Sequence, residues 1–572
     1  MVTCPGSIMA LSLVDLCAKE VVRDHSSSSR WLGCVPRELY RPLLDAAFAH
    51  CRPLAIGELV QRWPDRTLTV GGRRPGQSPP NRLCVQALLL AVVRGLADNR
   101  SALEVLDLCG LQCEDGTMAD SMGGWSLTVA LCSMVLQAKA AAKKVKGRDV
   151  ERDRKRGLEM ERDGAVKRDR GSGDSGTDQE EAGESQKNGV KGVRIDCVRN
   201  GKEHEEGDLA KGVRRRMEIQ RKNGIIEPNE DSVNTDPEHI MVHVRADLFV
   251  NARSWDRVCG ALTSQGPLRL HCRFLRVEEL LASSIASMLA MIPKQCLLGV
   301  DIRYSNLGVS GLGLLLPLLS PFRLVKSLKL HYCNLDVHRD LPGQEKALRD
   351  MSQGLGELHC LRQLSLTALR LPGHLRMLLS SLSQPLEVLE LPYLSLTPAD
   401  LTYLSCSPHA SSLQRLDLSE NRIDESSVPS MLRLFSQASL SLCHLSLCGC
   451  GLNDSLLGRL LPALSCCRAL QSLRLALNPL SLGGLLSLVK TATGIPSLSL
   501  LLYPNPLEEY EPGLPANPSS AQLLDWPLLD DGEIREAIRH QLEQLLRLSG
   551  RSIDLFLTSD LLNFSKDLID VE

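Results

Sequence analysis

Leucines spaced as LxxLxLxxNxL over residues 413–423 (LQRLDLSENRI) constrain this chain more than any other stretch. Leu416 and Leu418 alternate with Arg415 and Asp417, the period of a strand with one buried face, and Asn421 then breaks the apolar run. Residues 442–452 (LCHLSLCGCGL) and 470–480 (LQSLRLALNPL) return in the same phase. Such a short strand cannot cover its own leucines, so copies in register must stack side by side and close one continuous core.

Looser copies begin at Leu297, Val325, Leu361 and Leu386, and a worn one at Leu498. Successive starts lie 28, 36, 25, 27, 29, 28 and 28 residues apart, which leaves room for a helix after each strand. Residues 426–439 and 453–465 show the apolar spacing of such helices. The pattern is the leucine-rich-repeat template. It predicts an α/β fold, a leucine-rich-repeat solenoid or horseshoe with an N-terminal helical cap and a disordered insertion. Asn421 and Asn478 are expected to hydrogen-bond the backbone where each coil leaves its strand, and Cys333 and Cys450 to hold that place in other repeats as structural residues.

Composition agrees with stacked aliphatic coils: 43% of the 572 residues are apolar but only 3% aromatic. A net charge of −2 offers neither nucleic acid nor an anionic membrane a basic surface. The apolar run at 8–16 is interrupted by Asp15 and lacks a basic leader, so it makes a poor signal peptide. No segment reads as long enough to span a membrane; the apolar run at 311–319 is short and carries a proline. The 20 cysteines include no CxxC pair, and they read as free thiols of a reducing compartment, which implies a cytoplasmic location. His271 with Cys272 and Cys443 with His444 are isolated pairs, so no metal site is expected. With no phosphate-cradling glycine loop, no GxSxG and no HExxH, the reading is a non-enzymatic chain without catalytic residues or cofactor.

Two stripes near the N-terminus stand apart from the repeats. In SLVDLCAKEV (12–21), Leu13, Cys17 and Val21 recur at steps of four, one face of a short helix. In VPRELYRPL (35–43), Val35 precedes Pro36 at a helix start, and Leu39 and Leu43 follow at steps of four. The first, with Ser12 as its small leading residue, resembles the elongin-binding box of cullin receptors, and the second resembles the cullin-2 box. Two ordinary helix faces packed on the first repeat are the alternative reading.

The landmarks VPRELYRPLLDAAF (35–48), LVQRWP (59–64), LEVLDLCGL (103–111), HVRADLFV (243–250), SPHASSLQRLDLSEN (407–421) and LYPNPLEEYE (502–511) resemble, in order, those of the PRAME family. The resemblance implies a horseshoe adaptor that recruits elongin B/C and cullin-2 as the substrate-recognition subunit of a ubiquitin ligase. It also implies an alternative, a negative regulator of Toll-like-receptor and NF-κB signalling that binds an IκB kinase subunit without recruiting a ligase.

The expected organisation is a helical docking region at 1–82, an irregular first repeat or cap at 83–138, a charged insertion at 139–238, repeats at 239–511 and a helical cap at 512–572. The insertion has almost no large apolar residues and cannot bury enough surface to order itself. Its basic run (Lys143, Lys144, Lys146, Arg152, Arg154, Lys155, Arg156) reads as a nuclear-import signal or, with acids interleaved, as a solvated loop. An early helix over 125–138 precedes it, a strand beginning near Met241 follows it, and an amphipathic helix over 533–548 closes the last repeat.

Strand alternation also predicts the partner surface. Middle positions Asp301, Lys329, Ser365, Glu390, Asp417, Ser446 and Arg474 point out of the concave face, flanked by Arg303, His331, Arg415 and His444. This mixed-sign ladder is expected to bind the protein partner, with the convex helices or the insertion as the alternative.

Overall fold

The structure, a computed structural model, describes residues 12–23, 35–70, 81–97, 102–111, 124–144, 241–338, 343–530 and 532–561. Of the predicted insertion, residues 145–238 lie outside the described residues, as do Lys146, Arg152, Arg154, Lys155 and Arg156 of its basic run.

The chain opens on α1 (Leu13–Arg23), α2 (Arg37–Ala49), α3 (Pro53–Gln61), β1 (Thr67–Thr69), α4 (Arg82–Ala97) and β2 (Val105–Asp107). A long helix, α5 (Gly124–Lys144), leads to β3 (Val242–Val250), α6 (Trp255–Leu262), β4 (Leu268–Glu278) and α7 (Ala282–Met291). Then come β5 (Gly299–Arg303), α8 (Gly308–Leu318), β6 (Ser327–His331), α9 (Gln344–Gly356), β7 (Gln363–Thr367) and α10 (Leu375–Leu379). Next are β8 (Val388–Glu390), α11 (Pro398–Cys406), β9 (Arg415–Asp417), α12 (Val428–Gln437), β10 (His444–Ser446) and α13 (Asp454–Leu464). The last coils hold β11 (Ser472–Arg474), α14 (Leu482–Thr493), β12 (Leu500–Leu502), α15 (Ser520–Asp525), α16 (Gly532–Leu548) and β13 (Phe556–Thr558).

All thirteen strands pair in parallel and in chain order, as a solenoid requires. One row of side chains runs in register through Leu275, Val300, Leu328, Leu364, Leu389, Leu416, Leu445, Leu473 and Leu501. Every member is buried, and burial of each stabilises the stack by about 1.5–3 kcal/mol.

Where several coils turn away from the sheet, the polar position of the template closes the backbone. Asn421 donates its amide N–H to the carbonyls of Leu391 (2.8 Å) and Leu418 (2.9 Å) and accepts from the Leu396 N–H at 3.1 Å. Asn478 repeats this with Leu447 and Leu475, both at 2.8 Å, and with the Leu452 N–H at 2.9 Å. Cys333 and Cys450 are buried at the same place, their thiols donating to Ile302 and Leu418 carbonyls at 3.6 and 3.3 Å. Helix starts are fixed by capping: Thr397 and Asp400 form a reciprocal box at α11, and Asn453 and Ser481 cap α13 and α14.

The observed boundaries differ from those expected. The sheet begins at Thr67, inside the expected docking region, and ends at Thr558, inside the expected helical cap. These edge strands escape the template because β1 and β2 start 38 residues apart and β12 and β13 start 56 apart, away from the 28-residue period. The early helix runs to Lys144, six residues past its expected end at 138. It is also long and apolar enough, by length and composition, to cross a membrane, which corrects the expectation that no segment is. Its large apolar residues, Leu127, Leu131, Met134 and Val135, are buried in the solenoid core, and Thr128 accepts the Phe249 N–H of β3 at 2.8 Å. At the other end, α16 packs Ile538 and Leu542 inward against the last repeat, and Arg551 donates to the carbonyls of Ile495 and Leu498 at 2.7 and 2.6 Å.

Candidate functional site

On the sheet face turned away from the buried leucine row, β-register aligns a second row: Arg276, Asp301, Lys329, Ser365, Glu390, Asp417, Ser446 and Arg474. Arg303 pairs with His331 on one side of it and Arg415 with His444 on the other. The nine charged and histidine residues expected on this face therefore all lie on it. Ser365 does not belong to the accessible surface, because it is buried with its hydroxyl held inside.

All nine are half-buried, and close contacts among them gather at Asp301. Arg303 Nε lies 3.0 and 2.9 Å from the two oxygens of Asp301, and His331 Nε2 lies 3.9 Å from the same carboxylate. His331 Nδ1 shares a hydrogen bond of 2.7 Å with Thr367 Oγ1. Burial pushes the His331 pKa down to about 4, outweighing the pull of Asp301, so the ring is neutral at pH 7. Burial raises the Asp417 carboxyl, opposed by the Ser419 hydroxyl and backbone N–H, and the same burial lowers the Arg474 guanidinium. Glu390 and Asp417 stand opposite each other on β8 and β9, a like-charge pair that the charge of Arg474 offsets.

The N-terminal stripes occupy different surroundings. Ser12 caps α1, its hydroxyl accepting the Asp15 N–H at 3.2 Å while Asp15 Oδ2 accepts from the Ser12 N–H at 3.2 Å. α1 is held to the molecule by Ala18 and Val22, both buried. Leu13 (76% exposed), Cys17 and Val21 face outward, with Val14 and Leu16 beside them. In the second stripe, Pro36 and Leu39 are exposed and Val35 is half-buried. Leu43 is a correction: at a step of four from Leu39 it has rotated into the core with Tyr40, Leu44 and Ala47, so it supports α2 rather than offering a docking contact.

One set of residues escaped the sequence reading. The residue preceding the ninth template position, held by Asn, Cys, Ser or Leu in different coils, is left-handed at Tyr304, Tyr332, Ala368, Tyr393, Glu420, Gly449 and Leu477, with φ between 51° and 64°. From Tyr304 to Gly449 each backbone N–H reaches the next coil, Tyr304 to the His331 carbonyl and Tyr393 to the Ser419 carbonyl. Side chains there stand on the rim where coils leave the sheet. The signal was available: three of the seven tyrosines of the chain occupy this one template position.

Residues 10–113 match the PRAME N-terminal domain and residues 244–517 the PRAME C-terminal domain. The chain is 33% identical to leucine-rich repeat-containing protein 14 of Xenopus laevis, covering 96% of this chain and 97% of that relative. The human and bovine proteins of that name are 29% and 31% identical to it, again over 96% of the chain and 97% of each relative.

Proposed function

We propose, from the premise that this chain belongs to the PRAME family of leucine-rich-repeat proteins, that it is an adaptor holding a protein partner on the strand face. Its N-terminal helices recruit elongin B/C and cullin-2, so that the chain serves as the substrate-recognition subunit of a ubiquitin ligase. Transfer chemistry belongs to the recruited subunits, and this chain supplies position.

The observation that carries the reading is the inverted packing of α1. A helix that packs only for its own fold buries its largest apolar residues, whereas α1 buries Ala18 and Val22 and exposes Leu13, Leu16 and Val21. An exposed stripe at steps of three and four is what a helix-in-groove partner reads. Pro36 and Leu39, exposed at the start of α2, supply a second contact close by in the chain.

Co-purification with mass spectrometry tests it. Leu13→Ser with Cys17→Phe is expected to lower elongin recovery by tenfold or more, since burying one leucine contributes about 1.5–3 kcal/mol and each 1.4 kcal/mol is tenfold. Charge reversal at Lys329, Asp417 and Arg474 is expected to lose the partner and keep the elongins. Capture of the partner by wild type with no elongin or cullin present would overturn the ligase reading in favour of direct inhibition.

A further inference from the structure

Tyr304, Tyr332 and Tyr393 are 54%, 46% and 49% exposed, although each holds a left-handed backbone that glycine or asparagine adopts at less cost. Bulky residues kept in such a conformation at a surface call for a use. Tyr304 and Tyr332 stack with centroids 5.3 Å apart and planes 12° from parallel, so Tyr304 covers one face of Tyr332. The opposite face looks along the strand order to β7, where the equivalent position is Ala368. Tyr393 stands one strand further on. Two strand spacings are about 9.6 Å. A planar group held between two rings needs roughly 7 Å, two contacts of about 3.5 Å. The small Ala368 thus leaves, between Tyr332 and Tyr393, a gap wide enough for one planar group.

The far wall is electron-rich. The Tyr393 hydroxyl is hydrogen-bonded to the Glu420 carboxylate, which also accepts from Ser520 Oγ at 2.6 Å. That carboxylate lies across Gly449, where any Cβ would collide with it. It is half-buried, and among the described residues its partners are hydroxyls and no cation stands against it. Glu390 and Asp417 add carboxylates on the sheet just below.

We propose that the notch between Tyr332 and Tyr393 takes the arginine or lysine side chain of an extended segment of the protein partner, which rests on reading the strand face as the partner surface. The quadrupole of each ring attracts a cation, a guanidinium stacks flat between two faces, and phenol donation to Glu420 enriches the Tyr393 ring. A proline-rich segment fits aromatic walls as well but leaves the Glu420 carboxylate without a counter-charge. The cationic occupant is therefore the one the charges select.

The test uses the full chain labelled with 3-fluorotyrosine and titrated with an alternating glycine–arginine decapeptide, its glycine–glutamate counterpart and a polyproline decapeptide. Saturable fluorine shifts at Tyr332 and Tyr393 with the arginine peptide alone are expected. Tyr332→Asn and Tyr393→Asn should each weaken binding at least fivefold while leaving the melting temperature unchanged or higher, because asparagine tolerates the left-handed backbone. Unchanged affinity in the double variant, or equal binding of polyproline, would overturn the proposal. Elongin recovery is read on the same preparations. A silent notch with elongins retained sinks this inference alone, and a filled notch without elongins sinks the ligase reading alone.

Discussion

The repeats and the first helix use apolar residues in opposite ways. Leu416, Leu445 and Leu473 lie in register, each at 1% exposure, and every neighbouring coil completes the cover of the one before. α1 turns Leu13, Leu16 and Val21 outward and rests on one alanine and one valine. The difference separates two uses of one chemistry. In the solenoid the cover for a leucine is supplied by the next copy of the same motif, and in α1 no described part of the chain supplies it.

The largest expected contrast is between two leucine truncations. Leu445→Ala should destabilise the fold by about 2–5 kcal/mol through lost burial and the cavity left, whereas Leu13→Ser should change stability by less than about 0.5 kcal/mol. Urea unfolding of the two variants measures both, and a comparable loss for Leu13→Ser would show that α1 is part of the core.

Acid should act on the repeats next. The His331 pKa is about 6.5 when unfolded and about 4 when folded, so between those values the unfolded chain binds the proton and the folded chain does not. Stability is therefore full above pH 6.5, falls as pH drops toward 4 and stays level below it, a loss on the order of 3 kcal/mol. His271 and His409 are shifted the same way by burial, in other coils of the solenoid. Stability measured between pH 7 and 4 should fall less steeply in His331→Gln, and an unchanged slope would mean the ring is already solvated.

A smaller effect sharpens the comparison within the repeats. Asn478→Ala removes the amide that joins three coil-turning backbone groups and should cost about 2 kcal/mol, because buried carbonyls and an N–H lose their partner. Asn478→Cys should recover part of that loss, since Cys450 fills the equivalent position one coil earlier. Chemical denaturation of the pair decides it. Equal stability of the two variants would show that the thiol contributes nothing.

Much of the fold was legible because its signal is local and repeated. The eight strand positions from Leu297 to Leu498, the turning asparagines and their cysteine substitutes, and the helices after β9 and β10 all follow from one spacing. The strand near Met241 was legible as β3, whereas β1, β2 and β4 before β5 and β13 after β12 were not, because a single strand without its phase looks like any short apolar stretch. On the strand face, register sets the nine charged and histidine residues along one face, as alternation requires, but their half-burial was not legible, because the packing of neighbouring coils sets it.

The sequence by itself determined that the leucines stack, where each coil turns and which face carries charge, since period and turn chemistry reside in consecutive residues. The tertiary structure alone decided that Leu43 goes inward while Leu13 stays out, that Ser365 is buried, and that Tyr332 and Tyr393 flank Ala368 across one strand. Those outcomes depend on which residues distant in the chain become neighbours. A helical stripe records that one face is apolar, but only the surrounding packing decides whether that face is covered.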